Sequence, residues 1–226
     1  MGSLMDIRRQ MMSADRRLPK EYRECRYIQT VGTSSFFDTG ISGDDNTIQI
    51  DFTVMPMARG NYAGGILGNH DTEDKKCWRF IQGPTANNNR WVVTANNRQG
   101  GSSSSITITH LDTILYHAFY IHMEYGHVYV EQSGNNTRYS VSPVTTANAT
   151  TTLNIFVGAN GPNKSQSTTA PSHRFYGHIK IRKQGRLVRD YLTCVRKSDG
   201  KPGFYDLINR TFNVSIGNKD FTASED

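Results

Sequence analysis

A chain of 226 residues, 36% hydrophobic and 20% charged with 20 glycines, is long enough for one sizeable core. Tyr, Phe, Ile, Val and Thr outweigh Leu and Ala as its builders, which sets aside a helical bundle in favour of pleated sheets. The net charge of +6 gathers in residues 1–26 (+3) and 174–201 (+7), a distribution that solvent-facing strand lysines and arginines explain without nucleic acid.

Residues 1–18 carry the chain's helical pattern. Leu4, Ile7, Met11, Ala14 and Leu18 are spaced 3, 4, 3, 4, as in a coiled-coil seam, and Pro19 stops the run. The spacing predicts a short helical arm over residues 1–24 whose Leu4, Ile7, Met11 and Leu18 would serve an oligomer or an anchor, followed by one domain over residues 25–226.

From Cys25 onward the pattern has period two. Ile48, Ile50, Phe52 and Val54 alternate with Thr47, Gln49, Asp51 and Thr53. Phe119, Ile121 and Met123 alternate with Tyr120 and His122, and a turn at Gly126 leads to Val128 and Val130, which reads as a hairpin. Leu153, Ile155 and Val157 form another such run, as do Phe175, Ile179 and Ile181 against Tyr176, His178, Lys180 and Arg182. Shorter apolar runs lie at 62–67, 77–81, 91–94 and 106–108. About a dozen strands follow from this pattern. The polar segments 99–105, 145–152 and 158–173 read as loops. Many strands at short intervals without intervening helices exclude βαβ units and point to an all-β, two-sheet antiparallel sandwich.

The cysteines Cys25, Cys77 and Cys194 are widely spaced and offer neither a CxxC zinc pair nor a disulfide framework. No apolar run has the length of a signal-peptide core or a membrane helix, so synthesis without a signal peptide and no membrane partner are expected.

Two blocks resemble a known family. Residues 27–41 (YIQTVGTSSFFDTGI), and then 179–194 (IKIRKQGRLVRDYLTC) with 203–212 (GFYDLINRTF), are similar to the opening and closing motifs of laminin-G-like, concanavalin A-like jelly-roll domains common in bacteriophage and gut-bacterial proteins. Residues 153–161 (LNIFVGANG) resemble a strand and loop of the same family, while residues 59–105 match poorly. The resemblance implies two facing antiparallel sheets, chain ends brought together, and a face that accepts sugars in many relatives. The segment 18–22 (LPKEY) after a basic, Met-rich arm is similar to phage members of this kind, which implies a homo-oligomeric virion protein (head fibre, decoration or tail adhesin) made in the host cytoplasm, with other virion proteins and host-surface glycans as partners. A bacterial carbohydrate-binding or adhesion domain is the alternative.

For catalysis, retaining glycosidases need two carboxylates about 5–5.5 Å apart. Asp38, Asp51, Glu124 and Glu131 each stand alone on their strands, His117, His122 and His127 lack zinc spacing, and no nucleophile elbow is present. The expectation is therefore a binding domain that catalyses nothing. No cofactor is expected; calcium, which some laminin-G-like domains hold on loop oxygens, would have Asp44, Asp45, Asp71 and Asp74 as its loop acids.

Sugar sites stack aromatic rings on pyranose faces beside amides and carboxylates. Tyr62, Asn69, His70, Trp78 and Trp91 concentrate these types in one stretch, and Tyr120 and His122, on the polar side of their strand, are candidates to join them. Both tryptophans could equally plug the core.

Overall fold

The computed structural model describes residues 18–57, 64–70, 75–82, 91–98, 106–108, 115–132, 135–140, 149–159, 161 and 170–225. In chain order the strands are β1 (Tyr22–Glu24), β2 (Tyr27–Gln29), β3 (Phe37–Ser42), β4 (Gln49–Pro56), β5 (Gly64–Gly68), β6 (Lys75–Gln82), β7 (Trp91–Arg98), β8 (Ile106–Ile108) and β9 (Phe119–Glu124). They continue with β10 (His127–Gln132), β11 (Asn135–Ser140), β12 (Ala149–Thr150), β13 (Asn154–Val157), β14 (His173–Lys183), β15 (Arg186–Arg196), β16 (Pro202–Asp206), β17 (Thr211–Asn213) and β18 (Thr222–Ala223).

The larger sheet runs β11-β10-β9-β4-β14-β15-β16-β17, with β1 on β15 and with β2 joining β14 to β18. The smaller runs β3-β13-β5-β6-β7-β8, with β12 pairing β6 in parallel. The all-β expectation and its antiparallel layers hold, consistent with a jelly-roll sandwich. Gly126, at φ +72°, makes the turn between β9 and β10 where the alternation put it. Apart from β8, seen as the apolar run 106–108, the short pieces escaped the sequence reading, because a strand of two or three residues has no alternation to show. β12 accordingly lies inside a segment expected to be loop, and β1 belongs to the larger sheet rather than to an arm.

The core lies between the sheets. Ile50, Phe52 and Val54 of β4 and Phe119, Ile121 and Met123 of β9 face Ile66, Trp78, Phe80, Trp91 and Val93 of the smaller sheet. Ring contacts join the layers: Phe52 to Phe80 at 5.6 Å, Trp91 to Phe119 at 5.1 Å and Phe37 to Phe204 at 5.0 Å. Each such pair contributes about 0.5–1.5 kcal/mol beyond its burial. The first and last parts of the described sandwich meet: Arg26 N–H donates to Ser224 Oγ at 2.9 Å, and β18 pairs with β2.

The helical arm finds no support. No helix occurs among the described residues, and Leu18 and Pro19 pass into a turn before β1. Leu4, Ile7 and Met11 lie outside the described residues. Propensity alone does not hold so short a helix in water without a packing partner.

Candidate functional site

Inward alternation of the apolar residues leaves a polar face on the other side of the larger sheet. Register sets its side chains in rows. Tyr129 of β10 stands opposite His122 of β9, His122 opposite Asp51 of β4, Asp51 opposite Lys180 of β14, and Lys180 opposite Asp190 of β15. In the next row Glu131, Tyr120, Thr53, Tyr176 and Tyr27 follow one another across five strands.

Asp51 is the hub. Its Oδ1 accepts the Tyr120 hydroxyl at 2.6 Å and His122 Nδ1–H at 2.7 Å, while Oδ2 is ion-paired with Arg182. The second nitrogen of His122, Nε2, lies 3.6 Å from Glu124 Oε2, which also accepts Gln49 Nε2–H at 3.3 Å. Only 11% of the Asp51 side chain is exposed, against 27% for His122 and 33% for Arg182.

These neighbours set the protonation states. Burial pushes the Asp51 carboxyl up, but the hydrogen bonds from His122 and Tyr120 and the nearby cations outweigh it and hold the group below its ordinary value. His122 is raised, first by its hydrogen bond to Asp51, against burial, with the charges of Asp51 and Glu124 adding to it. Tyr120 is raised by burial and by the carboxylate its hydroxyl donates to, so it stays protonated at neutral pH. An imidazole fixed through Nδ1 by a carboxylate presents Nε2 in one tautomer for proton transfer or for a ligand hydroxyl.

A second pair lies on the same sheet: His178 Nδ1 and Asp190 Oδ1 are 2.5 Å apart. A bulge adjoins it. The register of β14 on β4 slips between Tyr176 and Lys180, and Gly177 sits at φ +62° within the slip. Aromatic rings flank both pairs, with Tyr120 and Tyr129 centred 6.3 Å apart and Tyr27 and Tyr176 5.6 Å apart.

The residues expected from sequence divide between this face and the core. Tyr120 and His122 meet at Asp51. Trp78 and Trp91 are 0% exposed on the inward side of the smaller sheet, so the stacking platform expected of them is corrected: their rings fill the interior. Asn69 is also 0% exposed and ties backbone to backbone, its Oδ1 accepting Trp78 N–H at 2.7 Å and its Nδ2 donating to the Leu153 carbonyl at 3.0 Å. His70 is buried nearby in sequence, and Tyr62 lies outside the described residues. The loop acids do not form a calcium site among the described residues. Asp45 accepts Thr47 N–H at 2.7 Å and lies 3.2 Å from Lys183 Nζ, while Asp71 and Asp74 are outside the described residues.

Sequence reasoning missed Asp51 and Glu124 as partners of His122, and Arg182 as a partner of Asp51. The available signal was that Asp51 and His122 both occupy the polar half of an alternating strand. Pairing them required the register of β4 on β9.

No family model matches the chain, and no curated protein matches it. Among solved structures the chain is similar to one of botulinum neurotoxin type C, concerned with cell entry through two ganglioside molecules, at 14% identity and a TM-score of 0.36, over 64% of this chain and 32% of that one. It is also similar to the family 7 alginate lyase A1-II′, at 12% identity and a TM-score of 0.37, over 74% of this chain and 85% of that one. A substituted form of that lyase with its substrate GGMG gives 12%, 0.33, 69% and 63%. The chain thus spans about a third of the neurotoxin chain, and likenesses at this level bear on the sandwich fold alone. The expectation that the sandwich catalyses nothing is corrected. It rested on carboxylates that stood alone in sequence, and two of these, Asp51 and Glu124, flank the two ring nitrogens of His122.

Proposed function

We propose that this chain is a carbohydrate-binding β-sandwich that takes a glycan on the polar face of its larger sheet. The observation that carries it is the Asp51 hub, a nearly buried carboxylate holding Tyr120, His122 and Arg182 in fixed positions among tyrosine rings. Saccharide sites combine these parts: ring faces for the apolar side of a pyranose and preset donors and acceptors for its hydroxyls. A glycan array with wild type, Asp51→Asn and Tyr129→Ala tests it. Wild-type binding that both variants lose while their far-ultraviolet spectra stay unchanged supports the reading; silence of the wild type across the array overturns it.

The Asp51–His122 geometry favours a second reading, in which the same face cleaves the polysaccharide it holds. His122 Nε2 would accept a proton from substrate, and the Tyr120 hydroxyl, kept protonated, would supply one to the departing oxygen. Incubation with a polysaccharide panel, followed for new reducing or unsaturated ends, decides it. Product formation lost in His122→Ala supports cleavage, and no product from any polymer that binds removes it.

The resemblance of residues 27–41 and 179–212 to phage jelly-roll domains supports a place on a virion as a head fibre, decoration or tail adhesin, with an adhesion domain of a bacterium as the alternative. In the virion setting residues 4–18 hold copies together. Sedimentation should show an oligomer for the full chain and a monomer once residues 1–20 are deleted; a monomeric full chain would overturn that assembly.

A further inference from the structure

β14 carries four Lys or Arg side chains, Arg174, Lys180, Arg182 and Lys183, and three of them are satisfied within the protein. Arg174 Nε–H donates to Gln29 Oε1 at 2.8 Å, with its guanidinium 4.1 Å from the centre of the Tyr27 ring. Arg182 is paired with Asp51, and Lys183 Nζ lies 3.2 Å from Asp45.

Lys180 differs. Its cross-strand neighbours are Asp51 on one side and Asp190 on the other, so the pairing rule for sheets makes it the best-placed cation of the strand. Both carboxylates are nonetheless turned to other partners. Asp51 holds His122, Tyr120 and Arg182, and Asp190 holds His178 at 2.5 Å. The regular register of β14 on β15 sets His178 diagonally from Asp190, one residue after the Gly177 bulge. Among the described residues Lys180 is left with neither an ion pair nor a hydrogen bond, half-buried at the middle of the face and between two His–Asp pairs. A half-buried ammonium without a counter-charge is a destabilising arrangement, and an anion from outside relieves it.

We propose that Lys180 is the anion-binding residue of this face, and that the glycan it takes is acidic, carrying a carboxylate or sulfate ester over the centre of the sheet. The inference rests on the glycan reading of the same face. Register puts Tyr129 in the row of Lys180, three strands away, and Tyr120, Tyr176 and Tyr27 in the next row, so a saccharide chain can stack on these rings while a charged substituent meets Lys180.

Titration calorimetry with matched polymers tests it: polygalacturonate against its carboxyl-reduced form, and heparin against its desulfated form. The expected result is that wild type binds the acidic member of at least one pair roughly tenfold more tightly, about 1.4 kcal/mol. Which pair shows the preference tells carboxylate from sulfate. Lys180→Met should bring the acidic form down to the level of the neutral one without weakening the neutral one, and Lys180→Arg should keep the preference. Equal affinity for acidic and neutral forms, or a preference that survives Lys180→Met, overturns the assignment and leaves the glycan reading standing. If neither member of either pair binds and the array is silent too, the glycan reading itself has failed.

Discussion

Two polar regions of the sandwich both draw on the large sheet and are built on opposite principles. One is a clasp between the layers. The Thr39 carbonyl accepts Arg189 Nε–H at 3.0 Å and the Tyr191 hydroxyl at 2.9 Å, while Thr39 Oγ1 donates to the Ile155 carbonyl at 2.7 Å. Beneath it Asp206, 1% exposed, accepts Ile208 N–H and Asn209 Nδ2–H at 2.9 Å each and lies 3.6 Å from Arg189. The other region is the Asp51 face. In the clasp each of Thr39, Arg189, Tyr191 and Asp206 serves at least one backbone group, which ties it to one local geometry. On the face side chains serve one another and keep part of their surface open. The clasp belongs to the fold, and the face is free to belong to a ligand.

That contrast predicts where substitutions act. Asp206→Ala strips the acceptor from the buried Asp190 N–H, from the partly exposed Ile208 N–H and Asn209 Nδ2–H, and from Arg189, and should cost about 3–5 kcal/mol in urea unfolding. His122→Ala removes a side chain that is 27% exposed, and should cost about 1 kcal/mol or less while abolishing glycan binding. A His122→Ala variant that unfolds as readily as Asp206→Ala would erase the distinction between the two regions.

The same contrast explains what the sequence discloses. The clasp draws on the segments that resemble a family, Asp38 to Ile41, Arg189 to Cys194 and Gly203 to Asp206, because close backbone demands restrict which residues fit: Gly40 lies at φ +66°, and a Cβ there would stand 3.3 Å from the Arg189 guanidinium. Strands β4, β9, β10 and β14 were legible from alternation, as was the Gly126 turn. The Asp51–His122 pair was not, since its members are 71 positions apart and either one alone looks like an ordinary solvent-facing residue. Trp78 and Trp91 were misplaced by the same gap: alternation shows that a residue has an inward or an outward side, and only the packing of Phe52 and Phe119 against these strands shows which side is which.

Histidines sharpen the comparison through pH. His173 is fully buried, with Nε2–H donating to Gln82 Oε1 at 2.9 Å, and burial lowers its pKa from 6.5 to about 3. The folded state therefore refuses the proton that the unfolded chain takes up below 6.5, so stability is complete above that value and falls as pH drops toward 3. Between about pH 6.5 and 5 the loss should be about 1.5 kcal/mol, and His173→Gln should flatten that part of the profile. His122 on the face has the opposite sign. Its raised value means that its contribution is present below 6.5 and is lost as pH rises through the folded value above it. Unfolding curves measured across this range for wild type and the two single variants separate the effects. A profile unchanged by His173→Gln would contradict the buried neutral state.

The smallest effect concerns the bulge that separates the face from a regular sheet. Gly177 has nothing within 4 Å of where a Cβ would stand, so Gly177→Ala meets no steric obstacle, only the cost of φ +62°. That cost is about 1 kcal/mol if the bulge persists. The strain also favours a β14 without the left-handed residue, in which His178 loses its aim at Asp190 and the freed carboxylate can turn to Lys180, its cross-strand neighbour. Gly177→Ala should therefore weaken acidic glycan binding more than a loss of about 1 kcal/mol in stability would suggest. Adding Asp190→Asn should return part of that binding, because the amide no longer competes for the ammonium. If the double variant binds no better than Gly177→Ala alone, the bulge shapes the backbone without setting the charge of the face.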